Sequence, residues 1–240
     1  MIGLGTIINV GAIIIGGLCG LFMGKAVKVR YQDILMISVG ISIMILGIGG
    51  TMEEMLSIQD GTIVSGGSMM MIITMALGAL MGEWMDIEGK MEHFGIWLKK
   101  KTGSSGDHAF VDAFVTCSLT DCIGAMAIVG SIKDGIYGDY SILAAKAILD
   151  LIIVFVMTVS MGKGCVFSAI PVGIFQGVIT FLARLIEPLM TEAALSNLSL
   201  VGSIMIFCVG LNLVFGKKVK VANFLPAIVL AVAWSFAPWA

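Results

Sequence analysis

Polar side chains recur at helical spacing in an otherwise apolar chain, and they are the residues best suited to chemistry. Asp112, Thr116 and Thr120 share one helix face because they stand four residues apart, and Cys117 and Asp121 share the adjacent face. Carboxylates, hydroxyls and a thiol on neighbouring faces can bind a cation or pass a proton. These five residues are therefore candidate binding groups for an ion or a small solute.

Lys146 and Asp150 form a second charged group, because they also stand four residues apart. Counted from Tyr140, they lie about 9 Å and about 15 Å along a helix at 1.5 Å per residue. The pair can be a neutralised contact that only fixes helix packing. Alternatively, Asp150 is protonatable or binds a cation. Burial disfavours its charged form and the ammonium favours it, so small movements could change its charge.

Neutral polar residues in other apolar stretches extend this set. Asn9, Gln176 and Asn212 are candidates, although hydrogen bonding between helices is the commoner role of buried amides. Gly124 and Gly130 favour a break in the helix that carries Asp121. The hypothesised substrate- or ion-binding set is Asp112, Thr116, Cys117, Thr120, Asp121, Gly124, Lys146, Asp150, Gln176, Asn212 and Asn9.

The elements that position these residues are predicted to be membrane-spanning helices. Hydrophobic residues make up 58% of the 240 and charged residues 12%, against about 25% charged in soluble domains. A span needs about 20 mostly apolar residues, and open sheets would leave unpaired backbone in lipid. We predict an all-α, polytopic bundle that forms one transmembrane domain over 1–240. Its eight spans are about 2–24, 33–51, 65–84, 109–131, 140–161, 165–186, 198–216 and 223–239.

The charges of the predicted loops indicate the orientation. Eleven of the fourteen Lys and Arg residues fall in alternate loops, which lie on one side of the membrane. They are Lys25, Lys28, Arg30, Lys90, Lys99, Lys100, Lys101, Lys163, Lys217, Lys218 and Lys220. The positive-inside rule makes that side cytoplasmic, and an even number of spans places both termini outside. The opposite loops are mainly acidic, with Asp60, Asp134 and Asp139 among them.

The longest break, 85–108, is predicted to be a cytoplasmic amphipathic connection. Ile87, Met91, Phe94 and Leu98 repeat at helical spacing, which is typical of a helix on the membrane surface; docking of a partner is the alternative. Internal repetition is also predicted. The segment 24–29 resembles 216–221, and both copies run in the same direction in this topology.

Several functional classes are not expected. Cys117 and Cys122 lack companion histidines, because His93 and His108 lie in the cytoplasmic connection, so we expect no metal site. The sequence has no Ser-His-Asp candidate and no nucleotide-binding glycine loop, so we expect no enzyme activity, no ATP-driven pumping and no cofactor. The net charge of −2 gives no indication of nucleic-acid binding.

Longer motifs resemble a known family. They lie at 82–84, 124–135, 149–150 with Lys146, 210–213 and 218–227, and the resemblance that they carry extends over essentially the whole chain. These segments closely resemble the bacterial membrane family catalogued as domain of unknown function 554. The resemblance implies a multi-spanning protein of the bacterial plasma membrane, sometimes labelled a transport protein. The positions 124–130, Asp134, Asp150, Asn212 and Asn223 match its recurring residues. Asp121 departs from its pattern, which has an apolar residue there.

Two functional hypotheses follow. In the first, the chain is a transporter or ion-conducting protein that moves a small solute or cation, so Asp150→Asn should fold but lose pH- or sodium-dependent flux. In the second, it is a scaffold, sensor or assembly component, so the same substitution should mainly lower stability. We favour transport. The expected partners are membrane lipids, the transported solute or cation, and a second copy in a homodimer.

Overall fold

The computed structural model describes residues 1–24, 26–59, 61–104, 106–107 and 109–237. Predictions that involve Lys25, Asp60, His108 and the end of the last span lie outside these residues. The helices are α1 (Leu4–Gly24), α2 (Val29–Met55), α3 (Ser68–Met85), α4 (Ile87–Lys101), α5 (Phe110–Cys122), α6 (Ala125–Tyr137), α7 (Ser141–Met161), α8 (Ala169–Phe181), α9 (Ala183–Ile186), α10 (Glu192–Phe215) and α11 (Leu225–Trp234). Short 3-10 helices lie at Lys163–Ser168, Glu187–Leu189 and Val221–Phe224.

The prediction of a helical membrane bundle is confirmed. Among the described residues, six helices are long and apolar enough to cross a membrane: Leu4–Gly24, Arg30–Met55, Ser68–Met85, Ser141–Met161, Lys163–Phe181 and Glu192–Phe215. The pair α5 and α6 counts as a seventh if it is one span, bent by 61°. The predicted eighth span corresponds to Val221–Trp234, which is apolar but shorter. Six to seven spans are therefore supported by length and composition.

A β-hairpin between α2 and α3 was not predicted. Strands β1 (Leu56–Gln59) and β2 (Thr62–Ser65) pair antiparallel, with Leu56 opposite Ser65. The hairpin is favoured by β-branched residues on β2 and by Gly61, whose φ of +76° suits a tight turn. Its strands are only four residues long, so their alternation was too short to recognise in the sequence. The all-α prediction therefore holds for the spans and not for this loop.

Small residues hold the spans close together. In α1, a Cβ on Gly16 or Gly20 would collide with the carbonyl oxygens of Leu151 and Phe155 on α7. In the same way Gly47 of α2 lies against Ser203 on α10. Lipid supplies no hydrophobic force between helices, so such close backbone contact is the main source of association. The glycines therefore position α7, which carries Lys146 and Asp150.

We expect Gly16→Ala to destabilise the folded protein by about 1–3 kcal/mol, because the added methyl must displace the α7 backbone. Thermal unfolding in detergent micelles measures the effect. Gly11→Ala is the matched control on the same helix, since nothing lies within 4 Å of the position that its added methyl would take. Equal melting temperatures for the two variants would contradict the close α1–α7 contact.

Contacts at the helix termini define the two ends of the bundle. At one, which we call the Asp134 end, the Asp134 carboxylate accepts hydrogen bonds from the backbone N–H groups of Gly3 (3.2 Å) and Gly5 (2.9 Å). Tyr137 donates to Glu187 (3.4 Å) at this end. At the opposite end, which we call the Lys217 end, Lys217 forms an ion pair with Glu88 (2.9 Å). Chain segments that are far apart in sequence thus meet at the same end.

The predicted amphipathic connection is a helix, α4, and it is fixed to the Lys217 end. The Glu88 carboxylate, which is buried, accepts from the Ala222 N–H (3.1 Å), and the Asn223 side chain accepts from the Glu88 N–H (2.8 Å). Asn223 also donates to Glu83 (2.6 Å). Leu98 of α4 is buried. Its placement on the membrane surface stays a prediction.

Candidate functional site

Lys146 and Asp150 form a closed ion pair on α7. The Lys146 Nζ donates to both oxygens of Asp150 at 2.6 Å, and the Asn9 Nδ2 of α1 donates to Asp150 Oδ2 at 2.9 Å. The Lys146 and Asp150 side chains are 8% and 4% exposed. Because both oxygens of Asp150 have donors, this pair on its own fits the packing interpretation better than the binding one.

Asp121 is a buried carboxylate with one oxygen that has no hydrogen-bond partner among the described residues. Its Oδ2 accepts from the Ser168 Oγ (3.0 Å) and the Cys117 Sγ (3.6 Å), whereas its Oδ1 has no hydrogen-bond partner in the described part of the chain. The residue is fully buried and lies within electrostatic range of both Lys146 and Asp150. We call Asp121, Lys146 and Asp150 the ion centre. Two carboxylates and one ammonium leave it one negative charge when all three are ionised.

A break in the chain positions Asp121. Helix α5 ends at Cys122, and Gly124 adopts a φ of +148°, which L side chains rarely adopt. The chain then turns by 61° into α6. The predicted break at Gly124 is thus confirmed, while Gly130 lies inside α6. Asp121 therefore stands in the last turn of a helix that ends beside α7 and α8.

The other face of α5 lies outside the ion centre and lines a cavity. Asp112 and Thr116 line a cavity of about 410 Å³ at the Lys217 end, together with Asp33, Glu88 and Asn212. Asn212 is occupied there: its side chain accepts from the N–H groups of Lys218 and Val219 (both 2.9 Å) and donates to the Val219 carbonyl (2.7 Å). Asn212 therefore holds the loop after α10, and the sequence-predicted set divides between two locations.

The remaining predicted residues have separate surroundings. Thr120 donates back to the Thr116 carbonyl (2.8 Å) within α5. Gly124 lines an apolar groove of about 670 Å³ between α5, α8, α10 and α11. Gln176 on α8 is fully buried, and neither its Nε2 nor its Oε1 has a hydrogen-bond partner among the described residues. Gln176 is thus the most under-satisfied of the predicted amides.

Two lysines at the Lys217 end have raised pKa values. Burial opposes the charge of Lys217, but hydrogen bonds from its ammonium to Glu92 and Glu88 dominate and raise its pKa. The hydrogen bond to Glu83 raises the pKa of Lys220. Because the folded state raises these lysine pKa values, the stability that the two ammonium groups contribute is present at neutral pH and is lost as the pH rises through their folded-state pKa values.

Sequence reasoning missed Ser168 and Cys165. Both lie in the 3-10 helix Lys163–Ser168, and Cys165 donates to the Ala113 carbonyl of α5 (3.7 Å). Ser168 is 47 residues from Asp121 in the chain. Single hydroxyls and thiols in apolar segments show no spacing that marks them as partners, so no sequence signal identified them.

Comparisons with known proteins agree with a membrane protein. The family model described as "Protein of unknown function (DUF554)" matches residues 4–236. The chain is 28% identical over 226 residues to the uncharacterized membrane protein YdfK of Bacillus subtilis (strain 168), which covers 94% of this chain and 93% of the relative. It is 27% identical over 241 residues to the uncharacterized protein YqgA of Escherichia coli (strain K12), covering 98% and 97%. No solved structure matches the chain.

Proposed function

This chain belongs to the DUF554 family of proteins of unknown function, and we propose a function for it. The proposal is based on the charges of its ion centre. The chain acts as a transporter or ion-conducting protein, and Asp121 binds the proton that accompanies transport of a small solute. The observation that carries the proposal is the free oxygen of a fully buried Asp121 beside an already paired Lys146–Asp150. A buried charge without compensation is costly, so the centre gains by taking up one positive charge.

The surroundings of Asp121 favour a proton over a metal ion. Among the described residues, the side chains that donate hydrogen bonds to its carboxylate are one hydroxyl and one thiol. Hard metal cations take about six or more oxygen ligands, and a single carboxylate with one hydroxyl supplies few of them. A proton needs only one free carboxylate oxygen, which Asp121 Oδ1 provides.

The break at Gly124 supports a moving element. Interrupted helices occur at membrane depth where they line a cavity or a binding site, and transporters are often built around them. The bend of 61° lies three residues beyond Asp121 in the chain. A change in this angle would carry Asp121 away from Ser168 and Lys146, and so couple its protonation to movement.

We further propose eight crossings with both termini outside the bacterial plasma membrane. The bent α5–α6 pair and the segment Val221–Trp234 each supply one crossing in this arrangement. Contacts support it, since Glu83 with Lys220 and Glu88 with Lys217 lie at one end, as alternate loops require. That Lys217 end also carries Lys218 and is cytoplasmic by the positive-inside rule.

Cysteine labelling tests this orientation. We expect Ser57→Cys, on the exposed hairpin, to react with a membrane-impermeant thiol reagent added to whole cells. We expect Lys100→Cys, near the end of α4, to react only after the membrane is opened. Wild-type protein controls for the native cysteines, of which Cys19 is exposed. Labelling of both variants from outside would contradict the topology.

A second function has its own support. The closed Lys146–Asp150 pair, bonded also to Asn9, is what a packing device requires, and it favours a scaffold, sensor or assembly component. In that case Asp121 would be a further structural residue. We propose, with either function, a homodimer in membrane lipid that needs no cofactor, carries out no enzymatic reaction and binds no nucleic acid.

Proteoliposomes separate the two functions. Purified protein is reconstituted with a pH-sensitive dye inside, and a proton gradient is imposed while candidate small solutes are supplied outside. We expect dye acidification above that of protein-free liposomes, increased by at least one solute. A proton conductance equal to that of empty liposomes under every solute tested would reject transport and leave the scaffold interpretation.

A further inference from the structure

Helix α1 packs against α6, α7 and α8, and α6 packs against α7 and α8; buried polar atoms on and beside these helices lack hydrogen-bond partners among the described residues. The buried side chains with at least one unpartnered oxygen or nitrogen in the described part of the chain include Thr6, Asn9, Asp121, Ser131, Gln176 and Thr180. A further one, Thr158, lies beside Gly20 toward the Lys217 end. We infer that internal water fills this cluster and connects the ion centre to the Asp134 end only.

The contact between α6 and α8 brings Ser131 and Gln176 together. A Cβ on Gly135 would collide with the carbonyl oxygen of Thr180, so these two positions face each other near the Asp134 end. Ser131 precedes Gly135 by four residues and Gln176 precedes Thr180 by four. Residues four apart share a helix face. Because α6 and α8 both run toward the Asp134 end, Ser131 and Gln176 both lie one turn deeper, on the facing sides.

The contact between α1 and α8 brings Thr6 close to Gln176. A Cβ on Gly173 would lie 3.1 Å from Val10 Cγ2, so α8 meets α1 there. Gln176 follows Gly173 by three residues and Thr6 precedes Val10 by four. Because α1 runs away from the Asp134 end and α8 toward it, both residues lie about one turn nearer to that end. Gln176 is therefore flanked by Thr6 and Ser131.

The polar residues form a graded series between the Asp134 end and the ion centre. We count the depth of each residue from the end of its own helix at the Asp134 end, at 1.5 Å per residue. Thr6 and Thr180 then lie no more than about 3 Å deep, and Asn9, Ser131 and Gln176 lie about 8–9 Å deep. Asp150, at about 14 Å, is bonded to Asn9 at 2.9 Å. We call Thr6, Asn9, Ser131, Gln176 and Thr180 the polar column.

Unpartnered buried polar atoms are the usual positions of internal water, because native proteins leave few such groups unsatisfied. Gln176 alone brings two donors and two acceptors to the column. Water molecules that bridge Thr180, Gln176 and Asn9 would satisfy these groups. They would also give protons a hydrogen-bonded route to the ion centre.

Toward the Lys217 end, the face of α5 that carries Cys117 and Asp121 is closely packed, whereas Asp112 and Thr116 on its other face line the cavity of about 410 Å³. Phe110, Ala113, Cys117 and Cys165 are fully buried, and a Cβ on Gly164 would collide with the Phe110 carbonyl. The Phe110 ring packs on Phe167 with centroids 5.4 Å apart. We call Phe110, Ala113, Cys117 and Cys165 the plug. It is mainly apolar and lies between Asp121 and the Lys217 end.

Access to the ion centre in this conformation is therefore one-sided. The inference rests on the proposed function in one respect: it specifies that the proton that Asp121 binds arrives from the Asp134 end. The polar column itself does not depend on whether transport occurs.

Silver ions test the path, because Ag⁺ is small and reacts with thiols that water can reach. Gln176→Cys and Ser131→Cys are made separately, with Ile174→Cys as a matched control that lies on α8 and is 60% exposed. Ag⁺ is added to one side of oriented vesicles, and unreacted thiols are alkylated after denaturation. Mass spectrometry then quantifies each cysteine. The Ser57 and Lys100 labels identify the side.

We expect both column cysteines to react from the Asp134 end at least about tenfold faster than Ile174→Cys, because the column holds water. The native Cys165 should stay unreacted when Ag⁺ is added at the Lys217 end. Ser131→Cys is nearly isosteric, so it reports even if Gln176→Cys does not fold. Reaction no faster than that of Ile174→Cys, or faster from the Lys217 end, overturns the inference.

The result is separable from the proposed function. Repeating the experiment with Asp121→Asn should leave the column reactive, because its water does not require the Asp121 charge. Reactivity without proton flux would reject transport and keep the path. Flux without reactivity would keep transport and reject this path.

Discussion

Replacing Asp121 with Asn lowers proton-coupled flux by about tenfold or more, as expected when the group that carries a proton is removed. Asn keeps the size of the side chain, and its oxygen can still accept from Ser168 and Cys117. It cannot ionise, so the centre no longer changes its charge. The melting temperature should stay close to that of the wild type, because the shape and the hydrogen bonds are kept. Initial rates in proteoliposomes measure the flux.

Asp139→Asn is the matched control. The Asp139 carboxylate accepts from the Ser141 N–H at 3.0 Å, and hydrogen bonds from Ser141 lower its pKa, so it is charged at neutral pH. The residue is exposed and lies outside the ion centre. Its replacement removes a carboxylate that stays ionised at neutral pH and lies outside the ion centre, so flux should be unchanged. Equal rates for Asp121→Asn and Asp139→Asn would contradict the role of Asp121.

Replacing Lys146 with Met is expected to have the second large effect, a loss of stability of the folded protein. Removing the ammonium leaves Asp150 buried and unpaired, which costs about 3–5 kcal/mol when one partner of a buried ion pair is lost. Asp121 loses the same neighbouring charge. We expect a much lower melting temperature and a lower yield of folded protein in mixed micelles.

The double variant Lys146→Met, Asp150→Leu provides the comparison. Replacing both partners of a buried pair by apolar residues is often neutral or stabilising. We therefore expect the double variant to recover most of the lost stability, with only the Asn9 amide left without its acceptor. If the double variant is no more stable than Lys146→Met alone, the pair does not contribute through its charge balance.

Helix content and the position of the break could be predicted from the sequence, because both depend on local patterns. Apolar runs of span length identified the membrane helices, and Gly124 marked the end of α5. The i,i+4 spacing of Lys146 and Asp150 correctly placed them in one pair. The sequence did not reveal the hairpin Leu56–Ser65, because its two strands are too short for their alternation to be recognised.

The partners of each helix face could not be predicted. The spacing separated Asp112 and Thr116 from Cys117 and Asp121 correctly, but only the packing of α5 against α7 and the segment Lys163–Ser168 shows which face reaches the ion centre. For the same reason the sequence offers Asp150 and Asp121 equally as proton- or cation-binding groups, although the structure shows both oxygens of Asp150 occupied. Asp121 also departs from the pattern that the family resemblance implies, so its proposed role applies to this chain and not automatically to its relatives.

Infrared difference spectroscopy of the reconstituted protein tests the central claim most directly, because protonated and ionised carboxyl groups absorb at different frequencies. As the pH is lowered, we expect the wild type to gain a protonated-carboxyl band that is absent from Asp121→Asn and present in Asp139→Asn. Identical difference spectra for wild type and Asp121→Asn would contradict the claim that Asp121 binds a proton.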